Sequence, residues 1–376
     1  LTPQKGSVKI NGYDISRYKE ELKGLIGYVP QEDLLFESLT VYQNLYYNAK
    51  LCFDNHSEDE IKETINGIID ELNLTSISDS KAGSRFEKTI SGGQRKRVNI
   101  ALELMREPSI LLIDEPTSGL SSSDSMNIIN LLREQTLKGK LVIANVHQPS
   151  SGIFKLFDQL IVLDKNGYPV YTGDPLEGLV YFKTIGQQVD AQKKECPVCG
   201  NINPDILLNI IEEMEVDENG YYTGKRKIPP EKWYSLYKEN IESEKEFKTQ
   251  NETLPPKNFN PPGFLKQFSL FFSRNLQTKL ENNQYLLISL LEGPLLATIL
   301  AFFTKYTVGN ESGELAYNFS QNVNLPSYLL MSIIVVLFIG MLVSAEEIIN
   351  DKNVLEREKF LNLSRSSYLL SKVMYL

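Results

Sequence analysis

Hydrophobic and polar positions along the chain fall into three successive regimes. Ser7-Val8-Lys9-Ile10, the Asn11-Gly12 pair and Tyr13-Asp14-Ile15 read as two short strands around a tight turn, since Asn-Gly accepts the positive φ that such a turn needs. Ile110–Ile113 is a short, wholly apolar run, which suits a strand buried on both faces of a parallel sheet; Leu141–Val146, apolar but for Asn145, is another buried-strand pattern, and Leu25–Val29 reads as a strand. Residues 39–73 carry a helical pattern in which Ser57-Glu58-Asp59-Glu60 forms a capping box and Ile61, Ile65, Ile68, Ile69 and Leu72 mark one face. Ser91-Gly92-Gly93-Gln94 reads as a second capping box, opening a helix with Val98, Ala101, Leu102 and Met105 on one side and Pro108 behind it. Leu160–Leu163, a turn at Lys165-Asn166-Gly167 and Val170–Gly173 predict a hairpin.

The second regime, residues 186–263, is polar, charged and loop-rich, with Pro255-Pro256 and Pro261-Pro262-Gly263 marking a linker. The third is apolar. Phe264, Leu265, Phe268, Phe271, Phe272 and Leu276 have helical spacing with Lys266, Arg274 and Lys279 interspersed, as in a helix lying at a membrane interface. Tyr285–Thr304 and Ser327–Ala345 are each long enough to span about 30 Å of hydrocarbon. Glu292 is the one charge in the first of them, and intramembrane acids as a rule face a bundle interior or a wet cavity. Lys305 is the only basic residue between the spans, whereas Lys266, Arg274 and Lys279 precede them and Lys352, Arg357, Lys359, Arg365 and Lys372 follow. The positive-inside rule therefore places the loop outside and both flanks in the cytoplasm.

Composition adds bounds. With 376 residues there is room for two or three domains, and a net charge of −9 disfavours wholesale nucleic-acid binding. The 3 cysteines form no dense framework, which fits a reducing compartment. Cys196-Pro197-Val198-Cys199 could be half a zinc site, but the chain offers no second cysteine pair or paired histidines to complete it.

The chemistry concentrates in residues 91–120. Asp114 and Glu115 follow an apolar strand, where open α/β sheets gather ligands, and neighbours on a strand point to opposite faces. Asp114 could hold Mg²⁺ and Glu115 could orient or deprotonate a water, or the pair could simply be a turn punctuated by Pro116. Gly92 and Gly93 at a helix start either serve the cap alone or also let backbone amides approach an anion. Ser91-Gly92-Gly93-Gln94-Arg95 followed by a strand ending Asp114-Glu115-Pro116-Thr117-Ser118-Gly119-Leu120 resembles the signature and Walker B motifs of ATP-binding-cassette (ABC) ATPases.

That resemblance extends along most of the chain. Pro30-Gln31 resembles the Q-loop, and His147 stands where the family's switch histidine contacts the γ-phosphate. Cys196-Pro197 with Asn203-Pro204-Asp205 resembles the element that follows the cassette in the G subfamily, of white/brown type, which also places its cassette ahead of its spans. Glu356-Arg357-Glu358-Lys359 and Ser367–Lys372 resemble the same subfamily's cytoplasmic segment after the second span. The implied fold is an α/β P-loop ATPase domain truncated at its N-terminus, carrying a helical subdomain, followed by a truncated all-α transmembrane domain. Expected boundaries are a cassette at 1–188 with its helical subdomain at about 39–90, a linker or insert at 189–263, and a membrane region at 264–376. Within the last lie an interfacial helix at 264–282, spans at 285–304 and 327–345, and a coupling region at 346–366.

By resemblance, Glu115 is the base or water-orienting group, Asp114 and Gln31 serve Mg²⁺, and His147 senses the γ-phosphate. Ser91, Gly92, Gly93 and Gln94 then bind ATP held by another subunit, which implies a homo- or heterodimer in a lipid bilayer and no nucleic-acid partner. The implied protein is a multi-pass exporter of lipidic or amphipathic compounds with a cytoplasmic cassette. Two departures stand out. No G-x-x-x-x-G-K-[ST] loop is present, as Gly139-Lys140-Leu141 and Gly224-Lys225-Arg226 both fail at the hydroxyl position, so the chain is expected to start just after that loop. Ser121 stands where related cassettes often have Asp. The competing readings are a soluble ABC-type ATPase acting on ribosomes or DNA, and a catalytically silent regulatory subunit.

Overall fold

The structure is a computed structural model that describes residues 3, 5–83, 89–196, 200–242, 253–255, 257–306, 308–309, 315–316, 319, 322–351, 354–355, 358, 361 and 363–375. In chain order its elements are β1 (Lys9–Ile10), β2 (Tyr13–Asp14), β3 (Ile26–Val29), α1 (Val41–Cys52), α2 (Glu58–Glu71), α3 (Gly92–Leu104), β4 (Ile110–Asp114), α4 (Ser122–Leu137), β5 (Leu141–Asn145) and α5 (Ser151–Phe154). There follow β6 (Leu160–Leu163), β7 (Pro169–Gly173), α6 (Pro175–Ile185), α7 (Asp205–Ile211), β8 (Met214–Val216), β9 (Tyr222–Arg226) and α8 (Pro230–Asn240). The last are α9 (Phe264–Leu280), α10 (Asn283–Thr304), β10 (Val308–Gly309), β11 (Leu315–Ala316), α11 (Leu325–Asn350) and α12 (Arg365–Tyr375). The chain divides into two compact units, Leu1–Gln31 with Glu107–Lys257, and Glu32–Arg106 with Asn258–Leu376.

The first unit is built on a parallel sheet in the order β3-β4-β5, with Val29 opposite Ile113 and Asp114 opposite Asn145. Gly27 lets β3 lie close, because a Cβ there would meet Leu111 and Pro108 carbons at 2.9 Å. The Asn11-Gly12 turn joins β1 to β2 with φ of 47° and 87°, as the hairpin reading requires. The predicted hairpin of β6 and β7 also forms. β5 departs from the expectation of a strand buried on both faces: Leu141 and Ile143 remain 55% and 46% exposed. Among the described residues β5 has a bonded neighbour only in β4, so it is an edge strand.

The segment read as a polar linker is also folded over much of its length. α7, the β8–β9 hairpin and α8 follow α6, and their apolar residues enter one core with it. Trp233 of α8 is fully buried, its ring 5.3 Å from that of Phe182, and Leu207, Ile210 and Ile211 of α7 join Phe154, Val162, Val170 and Leu179. Sparse apolar residues in a charged stretch suffice here because one aromatic buries a large area. Asn203 accepts a 3.2 Å bond from the Asp205 amide where α7 begins.

The second unit is helical. Capping boxes open α1 (Thr40 with Gln43), α2 (Ser57 with Glu60) and α3 (Ser91 with Gln94), and Ile61, Ile65, Ile68 and Ile69 of α2 are buried as the periodicity predicts. α9 does not simply lay an apolar face outward. Gln267, Phe271, Arg274 and Asn275 are its buried positions, while Phe264, Leu265, Leu276 and Leu280 are exposed. The reason is packing on two partners. Tyr47 of α1 donates to Gln277 at 2.5 Å, and on the α12 side Ser367 donates to the Phe264 carbonyl at 2.6 Å and the Phe271 and Tyr368 rings meet edge to face. Arg274 donates to a Glu358 carboxylate with both side chains buried, and Tyr368 and Lys372 bind Asp351 at 2.7 and 2.8 Å. Tyr285–Thr304 within α10 is long and apolar enough to cross a membrane, and Leu325–Met341 of α11 is apolar over a shorter stretch. Lys352, Glu356, Arg357 and Lys359 of the expected coupling region lie outside the described residues.

Candidate functional site

The parallel register brings three loops to one edge of the first unit's sheet. Because Val29 is level with Ile113 and Asp114 with Asn145, the residues leaving β3, β4 and β5 all emerge at the strands' carboxyl ends. There the Gln31 amide donates to the Glu115 carboxylate at 2.7 Å, joining residues 84 apart in sequence. The Asn145 amide donates to Asp114 at 3.1 Å, and the Glu115 backbone amide donates to the Asn145 carbonyl at 3.0 Å.

Glu115 has a φ of 42°, in the left-handed region that a non-glycine residue rarely occupies and that concentrates at functional sites. The twist ends the strand at once and turns the chain toward Ser118, whose amide donates to the Glu115 carbonyl at 3.2 Å. His147 lies two residues beyond β5, exposed, ahead of Gln148, which also has positive φ (45°). The structure thus joins Gln31 directly to Glu115 and Asp114 to Asn145, and leaves His147 at the same edge without a hydrogen bond to any of them among the described residues. A carboxylate held by an amide can orient or deprotonate a water. Asp114 and Gln31 supply hard oxygen donors. Mg²⁺ takes one or two carboxylates and completes its shell from waters and substrate phosphates; no cluster of three or more His, Cys, Asp or Glu suited to a metal occurs among the described residues.

The second unit holds the other set. Ser91 caps α3, accepting from the Gln94 amide at 3.2 Å while the Gln94 side chain accepts from the Ser91 amide at 2.8 Å. Gln94 is therefore committed to the cap, and helix geometry leaves the leading amides of Gly92 and Gly93 without intrahelical acceptors. Arg95 is not a surface cation. It is buried, donating to Asp33 at 3.0 Å and to the Ala82 and Gly83 carbonyls at 2.6 and 2.5 Å. Asn99 holds the other Asp33 oxygen at 2.9 Å and accepts from the Leu34 amide at 3.0 Å. Sequence reasoning missed Asp33, Asn99 and Asn145; only Asn145 had a signal, its place level with Asp114 in neighbouring apolar strands.

Both sequences that fall short of a phosphate loop sit in unsuitable places. Gly139 (φ 88°) ends α4 on the way into β5, and Gly224 (φ 74°) lies within β9, whereas a phosphate loop leads from a strand into a helix. Ser121 caps α4, accepting from the Asp124 amide at 3.1 Å, a task an aspartate would also perform. Cys196 is exposed and its carbonyl accepts from the Gly200 amide at 2.8 Å, and Cys199 lies outside the described residues.

A family model described as ABC transporter matches residues 1–118, and one described as ABC-2 type transporter matches residues 147–242. The chain is 38% identical over 232 residues to the broad substrate specificity ATP-binding cassette transporter ABCG2 of Sus scrofa, covering 60% of this chain and 34% of that protein. It is 37% identical over 211 residues to ABC transporter G family member 28 of Arabidopsis thaliana, covering 55% of this chain and 18% of the relative. Against ABC transporter G family member 25 of Oryza sativa subsp. japonica it is 37% identical over 226 residues, or 60% and 21%. The chain thus spans about a third or less of the length of these curated relatives. A soluble ATPase acting on ribosomes or DNA finds no support among them. With the two strand-end carboxylates, the capped Ser-Gly-Gly-Gln helix and the apolar helices in this order, the chain is similar to G-subfamily ABC transporters, its ABC transporter match lying ahead of its ABC-2 type transporter match.

Proposed function

We propose that the protein is the ATP-binding subunit and permease of an exporter that couples ATP hydrolysis to movement of a lipidic or amphipathic compound across a membrane. Mg²⁺, when bound, would neutralise charge on the nucleotide's phosphates, held by Asp114 and the Gln31 amide oxygen. Glu115 orients and deprotonates the attacking water, and His147 reaches for the terminal phosphate. Ser91, Gly92 and Gly93, with Gln94 fixing the cap, present backbone amides to the nucleotide of a second subunit, so the working unit is a homo- or heterodimer. α10 and α11 both cross the bilayer with the cassette on the cytoplasmic side. The observation that carries the hydrolytic reading is the Gln31–Glu115 bond, which sets a carboxylate and an amide together at the strands' carboxyl edge beside Asp114.

The test is Glu115→Gln in the full-length protein. Nucleotide binding is expected to persist while hydrolysis falls by about 10²–10⁴-fold, the usual loss on removing a positioned general base. Near-normal steady-state hydrolysis in that variant contradicts the assignment.

A further inference from the structure

The two apolar helices pack along seams that the pattern of exposure makes visible. On α10 the less exposed positions are Tyr285, Leu286, Glu292, Leu296, Leu300 and Thr304, and on α11 they include Leu325, Tyr328, Ser332, Val335 and Ile339. Both stripes have helical spacing, and the helices pack against each other, with the Asn324 side-chain amide reaching the Thr304 carbonyl at 3.4 Å. Glu292 belongs to this seam. Its neighbours Leu290, Leu291 and Leu295 are 73%, 53% and 58% exposed, whereas Glu292 is half-buried. Counting twelve residues back from Thr304 and twelve on from Asn324, Glu292 comes level with Val336, so Val335 and Ile339 are the α11 seam residues at its depth. Among the described residues it has no hydrogen-bond or ion-pair partner. Lys305, at the end of α10, is thirteen residues away, about 20 Å at 1.5 Å per residue, and Lys279, in the preceding helix, already lies over the Tyr285 ring at 3.6 Å.

A carboxylate in an apolar seam, beyond reach of any cation on its own helix, is costly unless something of opposite charge or a strong donor meets it. Gly293 beside it leaves the flank open, since a Cβ there would meet nothing within 4 Å. We propose that Glu292 is a recognition site for amphipathic organic cations within the membrane domain, the apolar seam taking the cargo's hydrocarbon body and the carboxylate its charge. This rests on the exporter reading.

The test is ATP-driven uptake by inside-out vesicles carrying the full-length protein, with three probes: tetraphenylphosphonium, its near-isosteric anion tetraphenylborate, and a fluorescent uncharged lipid. The protein is expected to take up the phosphonium in preference to the borate. Glu292→Gln should lower phosphonium uptake by about tenfold or more, as loss of one partner of a desolvated charge pair does, with Glu292→Asp recovering part of it and lipid uptake far less affected in both. Equal phosphonium uptake by Glu292→Gln, or a parallel loss of all probes that Asp does not rescue, overturns the proposal. Uptake of the lipid without any phosphonium overturns the proposal alone. ATP-independent behaviour of all three probes overturns the exporter reading and the proposal with it.

Discussion

Asn145 serves the strand-end acids twice, through its backbone and through its side chain. Its carbonyl accepts the Glu115 amide, bracing a residue whose left-handed backbone costs about 1–3 kcal/mol. Its amide fixes one oxygen of Asp114. Replacing Asn145 by alanine keeps the first bond and removes the second. Supporting groups around metal ligands are worth about 10–100-fold in metal affinity. Asn145→Ala is therefore expected to raise the Mg²⁺ concentration for half-maximal ATP hydrolysis by about tenfold or more in the full-length protein, with thermal stability little changed. A fall in stability without a change in Mg²⁺ requirement would reassign Asn145 to the sheet alone.

At the scale of elements, α9 departs furthest from its sequence pattern, and Arg274 shows why. Its apolar residues repeat at the helical spacing of an interfacial helix, yet Arg274 is among its buried residues. It is paired with Glu358 and lies over the Phe36 ring at 4.4 Å. Partners 84 residues away cannot be read from a periodicity, which reports only what one helix offers. Breaking a buried pair by removing one partner costs about 3–5 kcal/mol because the other charge is left stranded, whereas replacing both by apolar residues can be neutral. Arg274→Met and Glu358→Leu should each lower the unfolding midpoint sharply, and the double variant should regain most of the loss. Additive single effects in that cycle would mean the two side chains do not interact.

For the whole molecule, legibility followed how local the determining contacts are. The Asn-Gly hairpin, the capping boxes, the parallel strands and Asp114-Glu115 were all visible because each is specified within a few residues. Gln31 was singled out only through the family's pattern, and its bond to Glu115, the Arg95–Asp33 grip and the fold of residues 205–240 were not legible, since they depend on single polar or aromatic residues finding distant partners. That folded segment gives the first unit a measurable pH limit. Tyr171 sits in the same core, with its ring near Phe182 and its hydroxyl donating to the Asp174 carbonyl at 2.7 Å. Burial, helped by the negative charges of Asp174 and Glu177, pushes its phenol from the usual 10.0 up to about 12. Below pH 10.0 the phenol is protonated in both folded and unfolded chains, and its contribution to stability is fully present. Above it the unfolded chain loses the proton while the folded one keeps it, so stability falls as pH rises toward about 12. Trp233, the chain's one tryptophan, lies in this core and reports its unfolding by fluorescence. Tyr171→Phe is expected to cost about 1 kcal/mol at neutral pH for the lost hydrogen bond, and to flatten the alkaline decline between pH 10 and about 12. A variant whose midpoint falls with pH as steeply as the parent's would show that another group sets the limit.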